Sequence, residues 1–235
     1  KAALKLSNLL DAAALKTLAT ANSNIFIRTV ALTIGFTFFT YAATAQGTVF
    51  LAAHNVLLQL ITLMALVLDA FANVAEAHVG AAYGARSEKR FDRAVRLTSE
   101  FSAVFALILS ALVYFGGPYL VDMITPDPAV RDMARTYLPY CALVPILGFA
   151  AWQLDGIYIG ITRTAAMRNA GVVAVALYLA AHFMLEPIFG GAGVWLAFLF
   201  YYVMRAVTML PAWPNIKRDV RTAKRKPENR LKSPL

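Results

Sequence analysis

Six long apolar stretches restrict what this chain can fold into: residues 25–45, 49–78, 101–121, 137–161, 170–189 and 192–213. Each is long enough to cross a bilayer as a helix, which takes about 20 mostly apolar residues. None shows the period-two alternation of a barrel strand. Charged residues make up 15% of the chain, against about 25% in soluble domains. We therefore predict an all-α, polytopic membrane protein, a bundle of six transmembrane helices.

Glycine and proline mark the connections between the stretches. Gln46-Gly47 and Gly190-Gly191 are the shortest breaks, and Thr125-Pro126-Asp127-Pro128 ends a longer one. Such pairs favour turns over helix. Because short connections place consecutive helices side by side, we expect an up-and-down antiparallel bundle.

Lysine and arginine are distributed unevenly over the two sides of this bundle. Of the 22, only Arg131 and Arg135 lie in a segment on one side, and Arg205 lies inside the sixth stretch. The others lie in the N-terminal region, the loop after the second stretch, the turn after the fourth, and the C-terminal region. Because basic segments stay in the cytoplasm, we predict that both termini are cytoplasmic. The net charge of +9 then reports membrane topology, and we expect no nucleic-acid partner.

These patterns divide the chain into three regions. Residues 1–22 are amphipathic, residues 23–213 form the six-helix transmembrane lobe, and residues 214–235 form a basic cytoplasmic tail. The chain begins at Lys1 without a signal sequence, so we expect a fragment in which residues 1–22 link this lobe to an upstream membrane domain. We expect the tail to be solvated and without fixed structure, and its alternative role is binding to anionic membrane lipid.

Polar residues recur along the second stretch, most of them seven positions apart. They are Asn55, Gln59, Thr62, Asp69, Asn73 and Glu76. Seven residues return a helix to within about 20° of its starting direction, so these side chains form one polar stripe. We interpret the polar stripe as the wall of an aqueous or ligand cavity, and hydrogen bonding between helices is the alternative. Asp69 is its strongest functional candidate, because an acid at membrane depth is costly.

The fourth stretch carries the other intramembrane acid, Asp155, with Gln153 and Tyr158 nearby in sequence. We expect Pro139 and Pro145 to interrupt and bend this helix, because proline removes a backbone donor. A broken helix beside an acid is typical of a cation or substrate site in transporters. The alternative is that Asp155 lies at the cytoplasmic interface, close to the basic turn that follows.

Enzyme motifs are missing from the sequence: there is no His-Glu-x-x-His, no Gly-x-Ser-x-Gly and no phosphate-binding Gly-x-x-x-x-Gly-Lys. The single cysteine, Cys141, excludes an intrachain disulfide and a cysteine metal cluster. We expect neither an enzyme nor a bound cofactor or metal site. In the first stretch, we expect Arg28 to extend to the cytoplasmic surface.

Several motifs, in order along residues 20–212, resemble those of the multidrug and toxic compound extrusion (MATE) transporters, and within them the branch of the DNA-damage-inducible protein F type. They are Asn24-Ile-Phe-Ile-Arg28-Thr29, Leu51-Ala-Ala-His54-Asn55, Leu68-Asp69-Ala-Phe71, Val79-Gly80-Ala-Ala-Tyr-Gly84, Asp155-Gly156-Ile-Tyr-Ile-Gly160 and Gly193-Val-Trp195-Leu-Ala197.

The resemblance implies a transporter of twelve helices in two lobes around a central cavity, with this chain as the second lobe. Such transporters export organic cations, drugs or other amphiphiles in exchange for protons or sodium ions, by alternating access. The partners implied are a small amphiphilic or cationic substrate, membrane lipid and the N-terminal six-helix lobe, in a bacterial inner membrane.

The resemblance also implies site residues. Asp69 and Asp155 would face the cavity as candidates for coupling to the proton or sodium ion. The predicted lining residues are Asn24, Asn55, Gln59, Thr62, Asn73, Gln153 and Tyr158.

Two other functions stay open at this point. A lipid-linked saccharide flippase of related architecture predicts more basic residues in the cavity than Arg28 and Arg205. A non-transporting membrane subunit predicts that replacing Asp69 and Asp155 by Asn leaves activity intact.

Overall fold

The structure, a computed structural model, describes residues 12–230, which are almost entirely helical. The helices are α1 Ala12–Thr44, α2 Thr48–Gly84, α3 Glu88–Ile124, α4 Pro128–Gly160, α5 Thr164–Phe189, α6 Gly191–Val207 and α7 Trp213–Arg230, with a 3-10 turn at Leu210–Ala212. No strand occurs within residues 12–230. In this range, 6 helical segments are long and apolar enough to cross a membrane. The predicted all-α bundle of six spans is confirmed.

The second and third helices extend past their apolar stretches at both ends. α2 and α3 have 37 residues each, about 55 Å at 1.5 Å per residue, against a hydrocarbon core of about 30 Å. They must therefore tilt or project from the bilayer. α1 runs without a break from Ala12, so no helix end marks the predicted boundary at residue 22. Residues 1–11 of the predicted linker lie outside the described residues.

Consecutive helices pack together at α2–α3, α3–α4 and α5–α6, and helices two apart in the chain pack at α2–α4 and α4–α6. α1 packs mainly on α5 and only slightly on α2, although a short turn with Gly47 at φ 102° joins α1 to α2. One long face of α2 is therefore left uncovered within the described chain.

The closest helix contact is between α2 and α4, at small residues. Gly156 and Gly160 of α4 face the backbone of Ala72 and Glu76 of α2, where a Cβ would collide with a carbonyl oxygen. A Cβ on Gly80 of α2 would in turn lie 2.8 Å from the carbonyl oxygen of Gly160. This small-xxx-small pattern allows two membrane helices to approach at backbone distance. It fixes α4, and Asp155 with it, against α2.

The prediction that proline interrupts the fourth helix is wrong. α4 continues through Pro139 and Pro145 without a break in helical structure. Neighbouring helices and local adjustment accommodate the missing backbone donor within a membrane bundle. α4 also has a well-defined start, where the Asp127 carboxylate caps it by accepting from the backbone N–H of Ala129 at 2.9 Å.

The C-terminal region also differs from the expectation of an unstructured tail. α7 begins at Trp213, and its Ile216 and Val220 are buried beside Phe91 of α3. Ile216 and Val220 lie four residues apart and so share one helix face. Burial of that face explains why the segment is ordered despite its charge. Residues 231–235 lie outside the described chain.

Candidate functional site

The polar stripe lies on the uncovered face of α2. Its five members among the predicted site residues are all exposed: Asn55, Gln59, Thr62, Asp69 and Asn73. The opposite face of α2 is buried in the bundle through residues such as Leu57, Leu60 and Leu68. The prediction that these residues share one face of the helix agrees with this arrangement.

Hydrogen bonding within the lobe does not account for the polar stripe. Thr62 donates to the carbonyl oxygen of Leu58 in its own helix at 2.9 Å. None of the five forms a hydrogen bond to another helix of the described residues. Lipid offers no hydrogen-bonding partner, and an acid facing lipid is costly. The stripe is therefore suited to face water, a ligand or another part of the protein.

Asp155 has a different environment, in a buried cluster that joins three helices. Its Oδ2 accepts from the guanidinium of Arg28 on α1 and from that of Arg205 on α6, the latter at 2.8 Å. The side chains of Asp155 and Arg205 are only 9% and 5% exposed. The expectation that Arg28 extends to the surface is wrong, because pairing with Asp155 compensates its charge inside the lobe.

Aromatic rings surround the second arginine of this cluster. The guanidinium carbon of Arg205 lies 5.4 Å from the ring centroid of Tyr202, 5.7 Å from that of Trp152 and 5.8 Å from that of Tyr201. These distances are within the range of cation–π attraction. Two positive charges thus flank one negative charge. A further cation at Asp155 would be repelled by both guanidinium groups.

Asp69 and the Asp155 cluster are electrostatically connected. The charges of Arg205, Asp155 and Arg28 all act on Asp69, which lies on the neighbouring helix α2. Asp69 nevertheless has no ion-pair partner within residues 12–230. The uncovered face therefore carries an exposed, unpaired carboxylate at Asp69 and a partly exposed one at Glu76, whereas the carboxylate of Asp155 is paired inside the lobe.

Three other predicted lining residues, Asn24, Gln153 and Tyr158, are buried inside the lobe. Asn24 donates to the hydroxyl of Thr164 at 3.2 Å and accepts from Arg168 at 2.7 Å. Gln153 donates to the hydroxyl of Thr98 at 2.6 Å. The Tyr158 hydroxyl donates to the backbone carbonyl of Met209 at 2.5 Å. This placement gives no support to a cavity-lining role, because each side chain binds within its own lobe.

The described residues contain no group of three or more His, Cys, Asp and Glu side chains placed to hold a metal ion.

A family model and two curated relatives each match most of this chain. The family model described as MatE matches residues 25–188. The DNA damage-inducible protein F of Escherichia coli strain K12 is 31% identical over 192 residues, which cover 82% of this chain and 42% of that protein. Protein DETOXIFICATION 43 of Arabidopsis thaliana is 25% identical over 184 residues, which cover 78% of this chain and 35% of that protein.

Solved structures agree at the level of the fold. The Vibrio cholerae MATE transporter VcmN in the bent form matches with a TM-score of 0.78 at 15% identity, covering 92% of this chain and 49% of that one. The present chain spans less than half the length of these curated relatives.

Proposed function

The chain belongs to the multidrug and toxic compound extrusion family of multi-pass membrane proteins, and from that premise we propose that it is one lobe of an efflux antiporter. The transporter exports organic cations or other amphiphiles in exchange for protons or sodium ions. An N-terminal six-helix lobe faces the polar stripe and closes the cavity. Both termini of this lobe lie in the cytoplasm, as the distribution of basic residues favours.

The observation that carries this proposal is the uncovered polar stripe on a membrane-spanning helix. Five polar side chains, including one carboxylate, are exposed along α2, where no helix of the described residues covers them. A second lobe on this side leaves an aqueous cavity between the two halves, with α2 as one wall.

Asp69 is the coupling acid that the geometry of this lobe favours. Its carboxylate is open on the cavity side and unpaired within the described residues. Binding of a proton or sodium ion cancels its charge, which changes the cost of burying it when the two lobes close on that side. A cationic substrate competes for the same charge, and so entry of the ion promotes release of the substrate.

Asp155 stays a second candidate for ion coupling, and we assign it a lower rank than Asp69. Two arginines already compensate its charge. We propose that Asp155 mainly holds α1, α4 and α6 together and so supports the wall behind Asp69.

A lipid-linked saccharide flippase is less well supported by the same surface. A pyrophosphate group requires basic side chains, and the polar stripe contains neither lysine nor arginine. Arg28 and Arg205 are directed to Asp155 rather than to the uncovered face.

The test is efflux of a fluorescent organic cation from cells that produce the full-length protein, measured across pH and sodium concentration. We expect Asp69→Asn to reduce efflux about fivefold or more, the lower end of typical coupling energies, and to remove its dependence on the coupling ion. Asp132→Asn, the same change at an exposed acid of α4 outside the polar stripe, is the matched control and should keep the parent's efflux. Efflux by Asp69→Asn with the parent's rate and ion dependence would show that the coupling assignment is wrong. If the full-length parent shows no efflux that depends on a proton or sodium gradient, the antiporter proposal itself fails.

A further inference from the structure

An open groove of about 540 Å³ lies between α2 and α3, close to the loop that joins them. The apolar part of this α2–α3 groove is lined by Phe71, Val74, Leu97 and Phe101. Arg90 and Arg93, in the first turns of α3, line its other end. The groove is therefore amphipathic along its length.

The charged and apolar ends of the groove are separated along the axis of α3. Arg90 precedes Phe101 by about 16 Å along the axis of α3, at a rise of about 1.5 Å per residue. Beyond the deep end, the ring of Phe71 lies 4.7 Å between centroids from that of Phe105, one turn of α3 past Phe101. Phe101 begins the apolar stretch of α3, residues 101–121, whereas Arg90 and Arg93 precede that stretch near the start of the helix, which predicts a position at headgroup level for the two arginines.

The two arginines at the groove are not compensated by the acids around them. Arg90 and Arg93 are exposed and have no ion-pair partner within residues 12–230. The nearest acids on α3 pair with α7 instead. Glu88 pairs with Arg221 of α7 at 2.7 Å, and Asp92 pairs with Lys217 of α7 at 3.9 Å. The open end of the groove thus carries two available positive charges.

The groove is separate from the polar stripe. Phe71 follows Asp69 by two positions, so the two side chains leave α2 about 200° apart, at about 100° per residue. A cationic substrate would be repelled by Arg90 and Arg93, whereas an anion with a long apolar chain satisfies both ends of the groove.

We propose that the α2–α3 groove binds an anionic phospholipid, with one acyl chain against Phe71, Leu97 and Phe101 and the phosphate at Arg90 and Arg93. Basic pockets between membrane helices on the cytoplasmic side are typical sites for anionic headgroups. This site goes beyond the proposed transport function, because it involves neither Asp69 nor the Asp155 cluster.

The experiment is native mass spectrometry of the full-length detergent-purified protein with phosphatidylglycerol and phosphatidylcholine of matched acyl chains. We expect the parent to retain phosphatidylglycerol in preference, and Arg90→Gln/Arg93→Gln to reduce that preference on the order of tenfold. Arg96→Gln is the matched control, because Arg96 lies on the same helix, outside the groove, and pairs with Glu100 at 3.7 Å. We expect it to keep the parent's preference.

A second variant tests occupancy of the α2–α3 groove without changing charge. Ala81 is exposed and lines the groove, so Ala81→Trp fills it and should displace the bound phosphatidylglycerol while the protein stays folded. Glycerol phosphate, which has no acyl chain, should not compete. Unchanged lipid preference in the double arginine variant, undiminished binding in Ala81→Trp, or full competition by glycerol phosphate would each overturn the proposal.

Discussion

The two intramembrane acids of this lobe lie on helices that pack together, yet their surroundings differ. Asp69 on α2 is exposed and unpaired within the described residues, whereas Asp155 on α4 is buried and accepts from two arginines. A carboxylate at membrane depth requires a compensating partner. Where the lobe supplies the partner, the acid ties helices together, and where it does not, the acid is available to an ion or a ligand. Residue type and depth alone do not separate these two roles.

The largest effect expected from this comparison is on stability, and it concerns Asp155. Asp155→Asn leaves Arg28 and Arg205 without a counter-charge, which should cost about 3–5 kcal/mol, as breaking a buried ion pair does. Asp69→Asn should change the free energy of unfolding by no more than about 0.5 kcal/mol, because its exposed carboxylate forms no ion pair or hydrogen bond with another described residue. Thermal unfolding of both variants in the same detergent compares them. An Asp155→Asn variant as stable as the parent but without ion-dependent efflux would move the coupling role back to Asp155.

An intermediate effect is expected where α4 meets α2. A methyl group at Gly156 collides with the backbone carbonyl of Ala72, so Gly156→Ala should cost about 1–3 kcal/mol as overpacking. It should also reduce efflux, because it displaces α4 from the helix that carries Asp69. The control is Gly116→Ala in α3, where a Cβ has nothing within 4 Å. That change should be neutral or stabilising by up to about 1 kcal/mol. Equal unfolding temperatures for the two variants would contradict the close approach of α2 and α4.

The smallest effect is expected when threonine is replaced by valine, once at a buried position and once on the polar stripe. Thr98 is buried, and its hydroxyl accepts from Gln153 at 2.6 Å, so Thr98→Val removes that hydrogen bond and should cost about 1 kcal/mol. Thr62 on the polar stripe bonds only within its own helix, and Thr62→Val should stay within about 0.5 kcal/mol. Chemical denaturation in mixed micelles resolves the difference. A larger loss for Thr62→Val would indicate that the stripe is packed rather than open.

Much of the fold was predictable because it depends on local pattern. Apolar length predicted the six spans, and the seven-residue spacing from Asn55 to Asp69 placed the polar stripe on one face of α2. The errors have a common cause in contacts between distant segments. Arg28 pairs with an acid 127 positions away, and α7 is ordered by burial against Phe91. One signal was available: Arg28, Arg205 and Asp155 all lie inside the spans, where pairing is one of the few ways to compensate a charge.

By itself, the sequence determined that this chain spans a membrane as helices and which side chains share a helix face, because both follow from composition and helical period. Only the tertiary structure decided which of those faces is covered. α1 packs on α5 rather than on α2, which leaves the face with Asp69 open, and the packing of α1 and α6 around α4 closes Asp155 between two arginines. Periodicity sets the direction of a side chain around its own helix, and the neighbour in that direction is set by packing between helices far apart in the chain.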